Sequence, residues 1–162
     1  MPDDDLQDLP AFPPGFFWGS GTSPIQVEGE TINEWRDFVA RDGTHPDDGP
    51  NHWRRYRFDF RQLADMNQNA YRLGFDWGRL QREPRAEFDR ETAFRYMEML
   101  AELRGHGITP FLTLFHFNCP VWLAERGGWM SNEAPHLFAD FADQLAVMTD
   151  GEVQFWITIN EP

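Results

Sequence analysis

Apolar residues along this chain fall into two spacings, and each predicts a different kind of element. In "TPFLTLFH" they run almost without interruption and are rich in aromatic and β-branched types, as in a strand buried on both faces. "NAYRLGFDW" (Asn69 to Trp77) and "VQFWITINE" read as two further strands, and "FFWGSGTS" (Phe16 to Ser23) predicts a shorter buried strand emptying into a loop. Elsewhere the spacing is three and four. Trp53, Tyr56, Phe60, Leu63 and Ala64 mark one helical face; Phe94, Met97, Leu100, Ala101 and Leu103 mark a second, stopped by Gly105 and Gly107. Leu137, Phe138, Phe141, Ala142, Leu145 and Met148 mark a third, after a short turn at "PVWLAERGGW". The spacing puts Trp53, Phe60, Phe94 and Phe141 in the core. A stretch dense in Gly, Pro and Asp, ending in "GTHPDDGPNH", predicts a long surface loop. Strand alternating with helix is the pattern of an α/β fold, a parallel sheet with right-handed crossovers.

Composition narrows the class. The 162 residues are 41% hydrophobic and 15% aromatic, enough for one domain with a real core. Residues 1–11 are expected to be an acidic disordered tail with no positive n-region or apolar h-region, so no signal peptide is read there. No run of about 18 apolar residues suggests a membrane span, and a cytoplasmic protein is expected. The formal net charge of -13 disfavours nucleic acid, whose binding starts with cations neutralising phosphates. All 14 basic residues are Arg. The single cysteine, Cys119, reads as a small buried hydrophobe. The five histidines show no metal-ligand spacing, so no metal is expected. "GSGTSP" has Pro24 where a dinucleotide loop needs its third glycine, and no helix is expected to open there, so no cofactor is expected either.

In parallel α/β sheets chemistry gathers at the C-terminal tips of the strands. At the four predicted tips stand Gln26 and Glu28, Arg72 and Asp76, His116 and Asn118, and Asn160 and Glu161. Amides and an imidazole both donate to and accept from hydroxyls, and a carboxyl moves a proton. Phe117 and Trp122 offer flat faces for sugar C–H groups. The set suits a polyol.

"FPPGFFWGSGTSPIQVEGE", "NHWRRYRFDFRQLADMNQNAYRLGFDWGRL", "GITPFLTLFHFNCPVWLAERGGW" and "FWITINEP" resemble, in order and spacing, the N-terminal part of the family 1 glycoside hydrolases, the β-glucosidase and β-galactosidase group. The resemblance covers Phe12 to Pro162 and implies the first half of a (β/α)8 TIM barrel, about four βα units, with 12–162 an incomplete domain. It implies cleavage of β-glycosides with retention. Glu161 is then the general acid/base, Asn160 the ligand of the sugar 2-hydroxyl, and Gln26, His116 and Phe117 substrate-binding residues. Arg72 is similar to the arginine beside the nucleophile. Phe117 stands where Trp is common, and Gly74, Asp76 and Gly78 replace the usual serines of the second strand. Retention needs two carboxyl groups about 5 to 5.5 Å apart. The family's nucleophile, a Glu on a later strand, has no counterpart here, so this chain is expected to be inactive alone. Its first and fourth strands would be open edges, suited to a C-terminal half-barrel or to self-association. A non-catalytic carbohydrate-binding module derived from the family is the alternative. Another barrel family with an acid/base "NE" on its fourth strand is disfavoured by "QVEG" and "LFHF".

Overall fold

A computed structural model describes residues 11–162. The tail expected over residues 1–11 lies, but for Ala11, outside the described residues. Four parallel strands form one sheet in the order β1 (Gly19–Gly21), β2 (Ala70–Gly74), β3 (Thr109–Phe115) and β4 (Phe155–Ile159). The longer helices are α2 (His52–Asp65), α4 (Arg90–Gly105) and α6 (Ala134–Met148), with one-turn helices α1 (Pro24–Val27), α3 (Trp77–Leu80) and α5 (Val121–Ala124) after the first three strands. No described helix is long and apolar enough to cross a membrane.

Alternation along the strands divides the sheet into two faces. Tyr71, Leu73, Leu112 and Leu114 share one core with Phe60 of α2, Tyr96, Met99 and Leu103 of α4, and Phe141 and Leu145 of α6. Trp77, opening α3, stacks on Phe141 at 4.9 Å and is 1% exposed, which ties the tip of β2 to α6. The other face carries Arg72 and Thr113 towards the C-terminal ends. Towards the N-terminal ends Phe111 stacks on Phe155 at 4.5 Å, with Phe17 edge-on to both. β1 is exposed throughout and β4 largely so, with Phe155 and Trp156 more than a third exposed. Among the described residues neither edge has a further strand.

The structure corrects the sequence reading in four places. The first strand is three exposed residues rather than a buried run; Phe16 and Trp18 pack on Phe12 at 4.7 and 4.5 Å beside the sheet. Gly19 lies so close to β2 that a Cβ there would stand 2.2 Å from the Ala70 carbonyl oxygen, so only glycine fits. A helical turn does open at Pro24, where none was expected; proline at the first position suits a helix start. β2 ends at Gly74, because Asp76 accepts from the Arg79 backbone N–H at 3.0 Å and caps α3. The buried face of α4 is out of phase with the reading: Thr92, Tyr96, Met99, Leu100 and Leu103 are buried while Phe94 is 66% exposed. Tyr96 wins that face because it supplies a buried hydroxyl as well as a ring, and it stacks on Phe75 at 4.1 Å.

Candidate active site

Three strands contribute to one hydrogen-bonded group on the open face. Arg72 of β2 donates from Nε to Thr113 Oγ1 of β3 at 2.9 Å and from Nη2 to Asn160 Oδ1, just past β4, at 2.6 Å. The Asn160 backbone N–H donates to the Phe115 carbonyl at 3.0 Å, so the parallel ladder runs on to the residue before Glu161. Glu161 itself is exposed, in the left-handed region at φ 45°. His116, next after β3, is half-buried and its Nδ1 has no partner. Burial and the Arg72 cation lower the His116 pKa, against the pull of the Glu161 carboxylate, so the imidazole is neutral near pH 7. Arg72, His116, Asn160 and Glu161 therefore form one electrostatic unit.

Phe117 adopts φ 80°, a strained conformation for an aromatic residue, and turns its ring onto Trp35, with centroids 4.9 Å apart and planes 23° apart. It is 58% exposed. Gln26, in α1, is exposed, and Ser23 Oγ donates to its Oε1 at 2.8 Å. Asn118 is buried and its Nδ2 is unpartnered. Among the described residues no group of three His, Cys, Asp or Glu could hold a metal.

Two strand-tip carboxylates from the sequence reading turn inward instead. Glu28 is buried behind the tips: the Tyr96 hydroxyl lies 3.0 Å from each of its oxygens, and Arg79 Nε is 3.3 Å away without making a hydrogen bond. Tyr96 Oη accepts from the Asp76 N–H at 2.9 Å, and Asp76 also accepts from Asn33 Nδ2 at 2.8 Å. Burial dominates here and the Asp76 charge adds to it; Arg79 and the hydrogen bonds oppose, and the Glu28 carboxyl is pushed up to about 8. Arg79 donates to the Gly29 and Glu30 carbonyls at 2.8 and 3.0 Å and lies over the Trp53 ring at 4.3 Å. Trp53, expected in the core, is thus the half-buried lid of this ion cluster. Glu34 accepts from the Cys119 N–H at 2.7 Å, and burial, with Glu34 beside it, raises the thiol to about 12, so Cys119 is inert.

Sequence reasoning missed Ser23, Thr113 and Trp35. Ser23 and Gln26 have the S-x-x-Q spacing of a helix cap, which conceals any other role. Thr113 reads as an ordinary β-branched strand residue. Trp35 sits in an irregular segment with no periodicity to mark it.

A parallel sheet with helices outside it and a polar cluster at the strand tips defines the architecture of the (β/α)8-barrel class. The chain belongs to glycosyl hydrolase family 1, whose model matches residues 9–162. It is 32% identical over 161 residues to thermostable beta-glucosidase B of Thermobispora bispora, covering 94% of this chain and 34% of that protein. It is 37% identical over 160 residues to beta-glucosidase 11 of Arabidopsis thaliana, covering 93% of this chain and 31% of that protein. The structure of a beta-glucosidase from Thermotoga maritima in complex with castanospermine superposes with a TM-score of 0.88 at 29% identity, over 93% of this chain and 37% of that one. The chain spans about a third of the length of the curated relatives it matches. The four-stranded sheet is accordingly part of a (β/α)8 barrel.

Proposed function

We propose that these residues form the acid/base half of a retaining β-glycosidase site acting on β-glucosides or β-galactosides. The observation that carries this reading is the Arg72–Asn160 bond at 2.6 Å, which fixes the residue before Glu161 against the tips of β2 and β3, with His116 in the field of both charges. Glu161 protonates the departing glycosidic oxygen and, in the second step, takes a proton from water. Asn160, its Oδ1 engaged by Arg72, keeps its side-chain N–H₂ for a sugar hydroxyl. Neutral His116 both donates and accepts, and Phe117 on Trp35 offers an apolar face to the sugar ring. The relatives named as beta-glucosidases support the substrate class.

The nucleophile and the remaining strands come, in this reading, from polypeptide outside these residues, either a C-terminal half-barrel or a further chain docked on the edges β1 and β4. On this reading the 162 residues need that second carboxylate to release a sugar. A cytoplasmic setting belongs to the same proposal, and recovery of the protein outside the cell would overturn it. The test of function is p-nitrophenol release from aryl β-glucoside and β-galactoside. The purified chain is assayed alone, then mixed with the later strands of a family 1 enzyme, with Glu161→Gln as control. Turnover is expected only in the mixture, reduced at least about 100-fold by Glu161→Gln. Turnover by the chain alone that Glu161→Gln abolishes would show that a second carboxylate is already present. Turnover insensitive to Glu161→Gln would remove Glu161 from the mechanism.

A further inference from the structure

Ser23 is 1% exposed, yet its hydroxyl engages an exposed side chain, donating to Gln26 Oε1 at 2.8 Å. Ser23, Pro24, Ile25 and Gln26 have the spacing of a capping box, in which the serine oxygen accepts from the backbone N–H three residues on and the glutamine amide reaches back to the serine N–H. The structure has neither bond. Ser23 makes no side-chain cap, and the Gln26 N–H goes to the Ser23 carbonyl at 3.2 Å. The one hydroxyl proton is spent on the glutamine amide.

The backbone beneath is fixed at both ends. Pro24 packs against Gly74, where a Cβ would stand 3.1 Å from Pro24 Cδ. Glu28, directly after α1, is locked between Tyr96 and Arg79, and Arg79 holds the Gly29 and Glu30 carbonyls. Between these anchors the side-chain torsions of Gln26 are the remaining freedom, and its terminal amide torsion is broad unless a partner holds it.

We infer that Ser23 is a positioning residue for Gln26. Its hydroxyl occupies one lone pair of Oε1 and sets the amide before any ligand arrives, so that both Nε2 hydrogens stay free to donate to a sugar hydroxyl. Among the described residues Nε2 makes no hydrogen bond. Setting the amide in advance removes an ordering penalty that binding would otherwise meet. The inference rests on the glycosidase reading, with Gln26 the substrate-binding residue that the family resemblance implies.

The test is the heteronuclear NOE of the Gln26 side-chain N–H₂ group in the 15N-labelled chain, assigned by its loss in Gln26→Glu. In the wild type it should approach backbone values and exceed that of Gln154, which is exposed. Ser23→Ala should bring it down to the Gln154 level, and Ser23→Thr, which keeps the hydroxyl, should restore it. A wild-type Gln26 as mobile as Gln154 overturns the inference without any variant. A Ser23→Ala chain with unchanged NOE overturns it equally. In the mixture with the later strands, Ser23→Ala should lower kcat/KM by about two- to tenfold, the range of one neutral hydrogen bond. The two readings fail separately. A rigid Gln26 in a mixture without turnover defeats the glycosidase proposal, whereas turnover with a mobile Gln26 defeats this one.

Discussion

Replacing Glu28 by Gln reads out directly whether burial or its ion pair governs that carboxyl. Glu28 and Arg79 are both nearly inaccessible, and they meet at Nε to Oε2 at 3.3 Å, with Nε lacking a true hydrogen bond. An ion pair this imperfect does not offset the loss of hydration, and the carboxyl rises from an ordinary 4.5 to about 8. The native state then holds a proton that the unfolded chain releases above pH 4.5. A raised folded pKa contributes stability that is complete below the unfolded value and is lost as pH climbs through the folded one, so the window runs from 4.5 to about 8. Inside it each pH unit removes about 1.4 kcal/mol. Urea unfolding of the wild type and Glu28→Gln at pH 5, 6 and 7 isolates the effect, because the other groups largely cancel in the difference. Wild-type stability relative to the variant should fall by about 2 to 3 kcal/mol from pH 5 to 7. A difference that stays flat or grows with pH would show that Glu28 is ionised and paired with Arg79, and would refute the reasoning.

Further outcomes follow from individual contacts. Trp77→Ala, which empties a fully buried site against Phe141, should destabilise by about 3 to 5 kcal/mol in urea unfolding, while Phe94→Ala on the exposed side of α4 should change stability by under about 0.5 kcal/mol. Tyr96→Phe leaves the Asp76 N–H without its acceptor and Glu28 without its donor; about 1 to 3 kcal/mol should be lost by the same assay. His116 has a lowered folded pKa, so the stability it contributes is present above 6.5 and is lost as pH falls below that value; an NMR titration of its ring should give a midpoint under 6.5, and one above it would contradict the geometry.

Much of this protein was legible in its sequence because local period encodes local environment. The β3 run is apolar on successive residues because Leu112 and Leu114 enter the core while Phe111 and Phe115 pack on Phe155 and Trp129, and the α2 and α6 stripes lie on the faces that bury Phe60 and Phe141. The strand-helix alternation sufficed for the parallel sheet, and several ordered motifs sufficed for the family and for candidates at each strand tip. What period could not convey was the identity of polar partners far apart in the chain. Glu28 and Asp76 looked like strand-tip carboxylates until Tyr96, 68 residues from Glu28, and Asn33, 43 residues from Asp76, proved to hold them inward. The same buried hydroxyl rotated the face of α4 and left Phe94 in solvent. Arg72 and Asn160 meet across 88 residues, and that contact exists only because β3 lies between their strands and sets their registers. The sequence alone determined the four strands and the three longer helices, though not the turns at Pro24 and Trp77, since period depends on near neighbours. Only the tertiary structure decided which tip residues face outward and which are buried, because that depends on desolvation and on donors brought from other strands.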